Sequence, residues 1–189
     1  MKVILINGSP REKGCTFTAL SEIKKELSRN EIDSEIIYIG SIEKSVDKNF
    51  VKEVKEKIEA SNGLIIGSPV YYAAATPIIS SFMIQLMTVL DKEKIALMPA
   101  ASIASARRAG TTTTLDQLNK FFTISQMPIV SSQYWAMVHG ATPSDVKQDL
   151  EGLQTMRIIA KNMAYMIKSF DKARLEKPKF EKKLRTNFI

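Results

Sequence analysis

The sequence predicts a single α/β domain of three layers, a parallel sheet with helices on both faces. Two observations carry that expectation. Short apolar runs alternate with amphipathic stretches five times along the chain, the pattern of strand–helix–strand units. The 189 residues contain no internal repeat, low-complexity linker or second domain, and the length suits one core.

Val3 to Ile6 is a continuous apolar run ending in Asn7-Gly8-Ser9-Pro10, as expected of a strand buried on both faces and followed by a turn. Thr16 to Ser28 then sets Phe17, Leu20, Ile23 and Leu27 on one helical face. Ser34 to Ile39 reads as a second strand. Val46, Phe50, Val54 and Ile58 recur at helical spacing and predict a surface helix. Gly63 to Gly67 is a third strand, closed by Ser68-Pro69.

Pro77 to Leu90 is helical in length and apolar nearly all round, a surplus that predicts a subunit interface and hence a homodimer or higher homo-oligomer. Proline suits the first position of a strand and not its middle, so the fourth strand is placed from Pro99 or Ala100 to near Ser105. Thr111 to Phe122 is a further helix and Pro128 to Tyr134 a fifth strand. Thr142, Pro143 and Asp145 form a capping box that opens the last helix. Its core face is expected at Val146, Leu150, Leu153, Met156, Ala160, Met163, Ile167 and Phe170. The domain is bounded at residues 1–170, with a basic arm over 171–189 whose Leu175, Phe180, Leu184, Phe188 and Ile189 could anchor on a neighbouring subunit.

Composition removes several function classes. One cysteine, Cys15, and one histidine, His139, make no disulfide, zinc or iron–sulfur ligand set. No apolar run has membrane-spanning length, and the chain enters a strand at once, so a cytoplasmic protein without a membrane partner is expected. The net charge is +7. Much of the excess sits at Lys168, Lys172, Arg174, Lys177, Lys179, Lys182, Lys183 and Arg185, a solvated tail rather than a nucleic-acid surface. A phosphate-bearing cofactor would account for part of the positive field.

In an open α/β sheet the ligand lies beyond the carboxyl ends of the strands. Three hydroxyl-rich loops end there: Asn7 to Thr18, Ser68 to Thr76 and Ser105 to Thr112. The first leads into a helix whose free N–H groups favour an anion, with Ser9, Thr16 and Thr18 as hydroxyl donors and Arg11 as charge. Neither G-x-x-x-x-G-K-[ST] nor G-x-G-x-x-G is present, and a plain helix start fits the same residues. Tyr71 and Tyr72 could lie against a planar ring or pack beneath the loop. Arg107, Arg108 and the threonines from Thr111 to Thr114 could grip a heterocycle edge or an anion, or open a solvated helix.

Taken together, Ile6-Asn7-Gly8-Ser9-Pro10-Arg11, Gly67-Ser68-Pro69-Val70-Tyr71-Tyr72 and Ser105-Ala106-Arg107-Arg108 resemble the FMN-contacting loops of the NADPH-dependent FMN reductase family, of the flavodoxin-like superfamily. The likeness covers about residues 1–170 and includes Asp116-Gln117-Leu118-Asn119-Lys120, Ser131-Ser132-Gln133-Tyr134-Trp135 and Met137-Val138-His139-Gly140. It implies a flavodoxin-like sheet of order 2-1-3-4-5. It also implies FMN as cofactor, NADPH or NADH as reductant, and a small acceptor such as a quinone, flavin or nitro compound.

By that resemblance Ser9, Arg11, Cys15 and Thr16 hold the phosphate, and the adjoining Phe17 belongs to the cofactor-binding set. Pro69, Val70, Tyr71 and Tyr72 run beside the ribityl chain and ring, and Ser105, Ala106, Arg107, Arg108, Gly110 and Thr111 border the pyrimidine side. No side chain is implied as acid or base. Four departures stand out: Cys15 replaces the usual asparagine, Ala73 a common glycine, Ala109-Gly110 a glycine pair, and Ile84-Gln85 an Asp-Arg pair. The cluster cysteines of iron–sulfur flavoproteins are absent, which sets that branch apart. A flavodoxin-type electron carrier and a flavin-less binding protein are the rival readings.

Overall fold

Val3 to Ile6 offer no polar side chain to water, and they form β1 (Lys2–Asn7), an interior strand of the sheet. The computed structural model describes residues 1–182, 184 and 186. Its five parallel strands run in the order 2-1-3-4-5, as the resemblance implied. The others are β2 (Asp33–Tyr38), β3 (Gly63–Pro69), β4 (Ala100–Ala106) and β5 (Met137–His139). Asn7 pairs with Gly67, and Pro69 with Ser105, so the ends of the three site-bearing strands lie side by side.

Apolar side chains alternate between two helical layers because the strand period is two. Ile4, Ile6, Leu64 and Ile66 pack under α3 (Lys48–Glu59), α4 (Pro77–Val89), α5 (Lys92–Ile95) and α6 (Thr111–Thr123), and α2 (Ile42–Ser45) lies against α3 and α4. Val3, Leu5, Ile65 and Ile103 pack under α1 (Cys15–Arg29), α7 (Pro143–Gln148) and α8 (Leu150–Ala173). No helix among the described residues is long and apolar enough to cross a membrane.

Three expectations are corrected and the premise of a fourth is narrowed. The fifth strand is not Pro128 to Tyr134. Ile129 makes one bridge to Ala100, the chain then leaves the sheet, and β5 resumes at Met137 opposite Ala104. Val46 is not on the helical face: Asp47 caps α3 through a bond from Phe50 N–H (2.7 Å), which restarts the helical phase and leaves Val46 exposed. The last helix is two helices, because Asp149 ends α7 and caps α8 through Gly152 N–H (2.9 Å). That break turns Leu150 outward, and Phe170 is half exposed, while Ile159 and Ala164 are buried in their stead. The apolar surplus of α4 is mostly absorbed within the subunit, where Ile78, Ile79, Phe82, Met83 and Leu86 are buried. Ile84 and Val89 stay exposed.

The arm begins at Arg174, where positive φ ends α8. Lys177 Nζ donates to the carbonyls of Glu93 and Lys94 (3.0 and 3.1 Å), so the segment turns back on α5. Lys183, Arg185, Phe188 and Ile189 lie outside the described residues.

Glu35 on β2 accepts from Lys2 Nζ and Lys57 Nζ, both at 2.7 Å. These two ammonium donors hold its carboxyl below the usual carboxylate range. Its folded-state titration thus lies below the unfolded one, so the stabilisation is complete above the ordinary glutamate range and fades as pH falls through it. The Glu35→Gln variant is expected to lose under about 1 kcal/mol at neutral pH. Its acid-denaturation curve should be flatter than wild type across that window, as urea melts at stepped pH will read.

Candidate functional site

The first loop is shaped by Asn7, a buried residue at the end of β1. Its Oδ1 accepts from Ser9 N–H (3.1 Å) and its Nδ2 donates to the Glu12 carbonyl (2.9 Å). Ser9 Oγ accepts in turn from Arg11 N–H (3.0 Å). Gly8 N–H donates to the Gly67 carbonyl (2.9 Å), and the Gly8 carbonyl accepts from Thr76 Oγ1 (2.7 Å). The loop is therefore preformed and tied to β3 and α4.

The second loop is tied to the third by Val70 N–H donating to the Ser105 carbonyl (2.9 Å). Tyr71 and Ala74 exchange two backbone bonds of 2.9 Å each, closing a two-residue hairpin on Tyr72 and Ala73. Both tip residues have positive φ, 50° and 58°, the conformation of a type I′ turn that favours Asn-Gly. An L-residue pays for this with Cβ crowding of about 1 kcal/mol or more. The structure pins the tip in return: Thr113 Oγ1 donates to the Ala73 carbonyl (2.7 Å), and Gly110, at φ 98°, lets α6 approach. The Ala73→Gly variant is expected to gain up to about 1 kcal/mol in thermal unfolding, with the loop otherwise unchanged.

These loops enclose a cavity of about 180 Å³ at the carboxyl edge of the sheet. Ser9, Arg11, Cys15 and Thr16 line it from the first loop, Pro69, Val70 and Tyr71 from the second, and Ser105, Ala106 and Arg107 from the third. Five other predicted residues stand outside this lining. Phe17 is half-buried on α1, Tyr72 and Arg108 are exposed, and Gly110 and Thr111 open α6. Thr111 is turned inward, its Oγ1 donating to Met137 Sδ (3.1 Å). Sequence reasoning missed Pro10, Gly14, Gly140 and Ala141, which also line the cavity. The last two follow β5, whose position the sequence misplaced.

Helix caps single this place out. The six helices α2, α3, α4, α5, α7 and α8 are each capped by a side chain: Ser41, Asp47, Thr76, Asp91, Thr142 and Asp149. α1 and α6 start at Gly14 and Gly110 with no side-chain cap and no acidic residue in the first turn. Both open onto the loops just described. Their first N–H groups have no intrahelical partner and carry the positive end of the helix dipole. The Arg11 and Arg107 side chains beside them are exposed and make no hydrogen bond or ion pair among the described residues.

Two residues of ambiguous promise are placed. The Cys15 thiol donates to the Gly140 carbonyl (3.5 Å), and burial pushes its pKa up against the opposing pull of its backbone bond and Arg11. It is therefore a protonated thiol at neutral pH, unsuited to nucleophilic attack. His139 N–H donates to Asp149 Oδ2 (2.6 Å), and its ring Nδ1 stands 3.9 Å from the same oxygen. Among the described residues no group of His, Cys, Asp and Glu could hold a metal ion.

The donor set fits an anionic cofactor: the uncapped start of α1, Ser9 and Arg11 line one cavity, glycine stands at position 14 where the chain meets α1, and the uncapped start of α6 follows the third loop just beyond the lining. An iron–sulfur flavoprotein of Methanocaldococcus jannaschii is 28% identical to this chain, covering 91% of it and 100% of the relative. Another, from Methanosarcina thermophila, is 24% identical, with 92% and 99% covered. The chain is thus similar along most of its length to proteins named for a cluster whose cysteines it lacks. A four-thiolate cluster nonetheless needs more than this chain's one cysteine.

Among solved structures, RosB with a bound formylated riboflavin phosphate has a TM-score of 0.76 at 12% identity, covering 100% of this chain and 92% of its own. A flavodoxin-like WrbA-like protein from Agrobacterium tumefaciens scores 0.70 at 12%, covering 89% and 98%. These two share the fold. The family model for NADPH-dependent FMN reductase matches residues 1–142, and the chain belongs to that family of flavodoxin-like flavoprotein oxidoreductases.

Proposed function

We propose that the cavity holds FMN by its phosphate and that the protein passes electrons from NADPH or NADH to a small acceptor, a quinone, a free flavin or a nitro compound. The observation that carries this reading is the pair of uncapped helix starts, α1 and α6, at the one edge of the sheet where Arg11 and Arg107 also stand. Backbone N–H groups at a helix start suit a phosphate dianion because they cost no reorganisation on binding.

In this reading Ser9 Oγ, Arg11 and the first N–H groups of α1 bind the phosphate. The Thr16 and Ser105 hydroxyls, 2.8 Å apart, lock the first loop to the third and fix the distance between the two helix starts. Pro69 to Tyr72 and Ala106 to Gly110 give two walls for a planar ring, with exposed Tyr72 at the outer lip. Hydride acceptance and electron release are the chemistry a bound flavin supplies. The protein positions, excludes water and sets the field. Cys15 stays neutral and withdraws no charge from Arg11.

Anaerobic titration of FMN-loaded protein with NADPH and with NADH tests this. Loss of the flavin's visible absorbance, restored by a quinone, is expected. Bound flavin that neither nucleotide bleaches would identify a carrier instead, and protein that takes up no FMN would end the proposal.

A further inference from the structure

The register of the sheet leaves a gap beside β4. Ala100 pairs with Ile129 and Ala104 with Met137, so four steps along β4 face eight along the partner segment. In a parallel strand alternate residues point both N–H and C=O to the same neighbour. Leu64 N–H bonds the Pro99 carbonyl and Val70 N–H the Ser105 carbonyl, so the odd positions of β4 serve β3. The even positions serve the other side: Ala100 N–H reaches the Pro128 carbonyl (2.9 Å), Ala104 N–H the Ala136 carbonyl (2.9 Å), and the Ala106 carbonyl accepts from Gly140 N–H (2.9 Å).

Ser102 is the even position left over. Its N–H and C=O are directed at the place the chain vacates between Val130 and Ala136, and neither has a partner among the described residues. Ser102 is 3% exposed, so these groups meet solvent only through the cavity beside them. Burial of an unpaired donor and acceptor is costly enough that native structures rarely leave both. A cavity of about 310 Å³ lies there, sharing no lining residue with the cofactor cavity. Its inner wall is Ser102 and Asn119, joined by a 2.6 Å bond from Ser102 Oγ to Asn119 Oδ1. Exposed Tyr134 and Trp135, in edge-to-face contact, form its lip, and the exposed Asp116 carboxylate stands beside it.

We infer that this notch is a second small-molecule site, for a neutral planar compound with an acceptor and an N–H donor side by side, as in a primary carboxamide or lactam. Such an edge completes the broken ladder at Ser102, accepting from its N–H and donating to its C=O. The aromatic lip covers the ring, and Asp116 disfavours a carboxylate at the same place.

Benzamide, N,N-dimethylbenzamide and benzoate are the probes, read by Trp135, the chain's single tryptophan, and by the Ser102 amide resonance in ¹⁵N-labelled protein. Benzamide is expected to quench Trp135, to move the Ser102 amide downfield, and to bind about tenfold or more tighter than the other two. Deleting Ser131 to Tyr134 removes the four surplus residues while keeping Trp135. That variant should pair Ser102 and lose benzamide binding. Equal binding of the two amides, an unmoved Ser102 amide, or undiminished binding by the folded deletion variant would each overturn the proposal. A Ser102 amide that responds to none of the probes would show the notch to hold water only. If the deletion variant does not fold, the probe series on the intact chain decides alone.

Discussion

Gly8→Ala is expected to be the most damaging single methyl addition in the loop between β1 and α1. A Cβ at Gly8 would sit 2.5 Å from Ile79 Cβ and 3.0 Å from the Gly67 carbonyl oxygen. Neither can yield easily. The first is rooted in the buried face of α4, the second belongs to β3, and Gly8 itself is bonded to both elements. Separating them breaks the Gly8–Gly67 and Thr76–Gly8 bonds as well as the packing. A loss of about 2–3 kcal/mol is expected. For a domain of this size that lowers the melting temperature by roughly 5–10 °C. Scanning calorimetry reads it directly. A variant melting within about 2 °C of wild type would show that α4 and the loop have freedom this packing denies them.

Arg11→Ala should leave stability nearly untouched and weaken FMN binding strongly. Arg11 is exposed, its side chain makes no hydrogen bond or ion pair among the described residues, and the loop is held by its backbone N–H and by Asn7. A hydrogen bond to a charged group contributes about 1.5–3 kcal/mol, which is roughly 10- to 100-fold in Kd. Flavin-fluorescence titration at fixed ionic strength measures it, with the melting temperature of the apoprotein as control. Unchanged affinity would remove Arg11 from the phosphate site and shift that role to Arg107.

The layers were legible because two of the interior strands, β1 and β3, carry apolar runs without interruption. Val3 to Ile6 and Leu64 to Ile66 have no polar alternative, and a sheet covered on both sides is the consequence. The edge was not. Pro128 to Tyr134 was placed as a strand, but an edge strand is paired on one side only, and the chain leaves the sheet after Val130 at Ser131-Ser132-Gln133, polar residues that an exposed edge strand also accepts. Gly140 and Ala141, which line the cavity at the carboxyl edge of the sheet, were hidden by that displacement. The capping box at Thr142 was readable, and both of its bonds form. The second cap, Asp149, was overlooked because Val146, Leu150 and Leu153 kept a helical spacing across it.

At the site, the three loops were legible from their place after three strand ends. The bonds that shape them were not. Asn7 bonds within its own loop, to Ser9 N–H and the Glu12 carbonyl, whereas Thr76 reaches the Gly8 carbonyl of a distant loop, which no local pattern records. Ala73 showed as a departure from glycine, and its meaning emerges only with φ at 58°. The missing caps of α1 and α6 were visible as glycines at positions 14 and 110. They gain significance once the other six helices prove to be capped.

The central claim is that this edge of the sheet is built to hold a flavin by its phosphate. Isothermal titration of the apoprotein with FMN and with riboflavin, which differ by that phosphate alone, tests it most directly. FMN should bind at least about 100-fold tighter than riboflavin, since helix N–H groups, Ser9 and Arg11 all act on the phosphate. Equal affinity for the two, or no binding of either, would contradict the account.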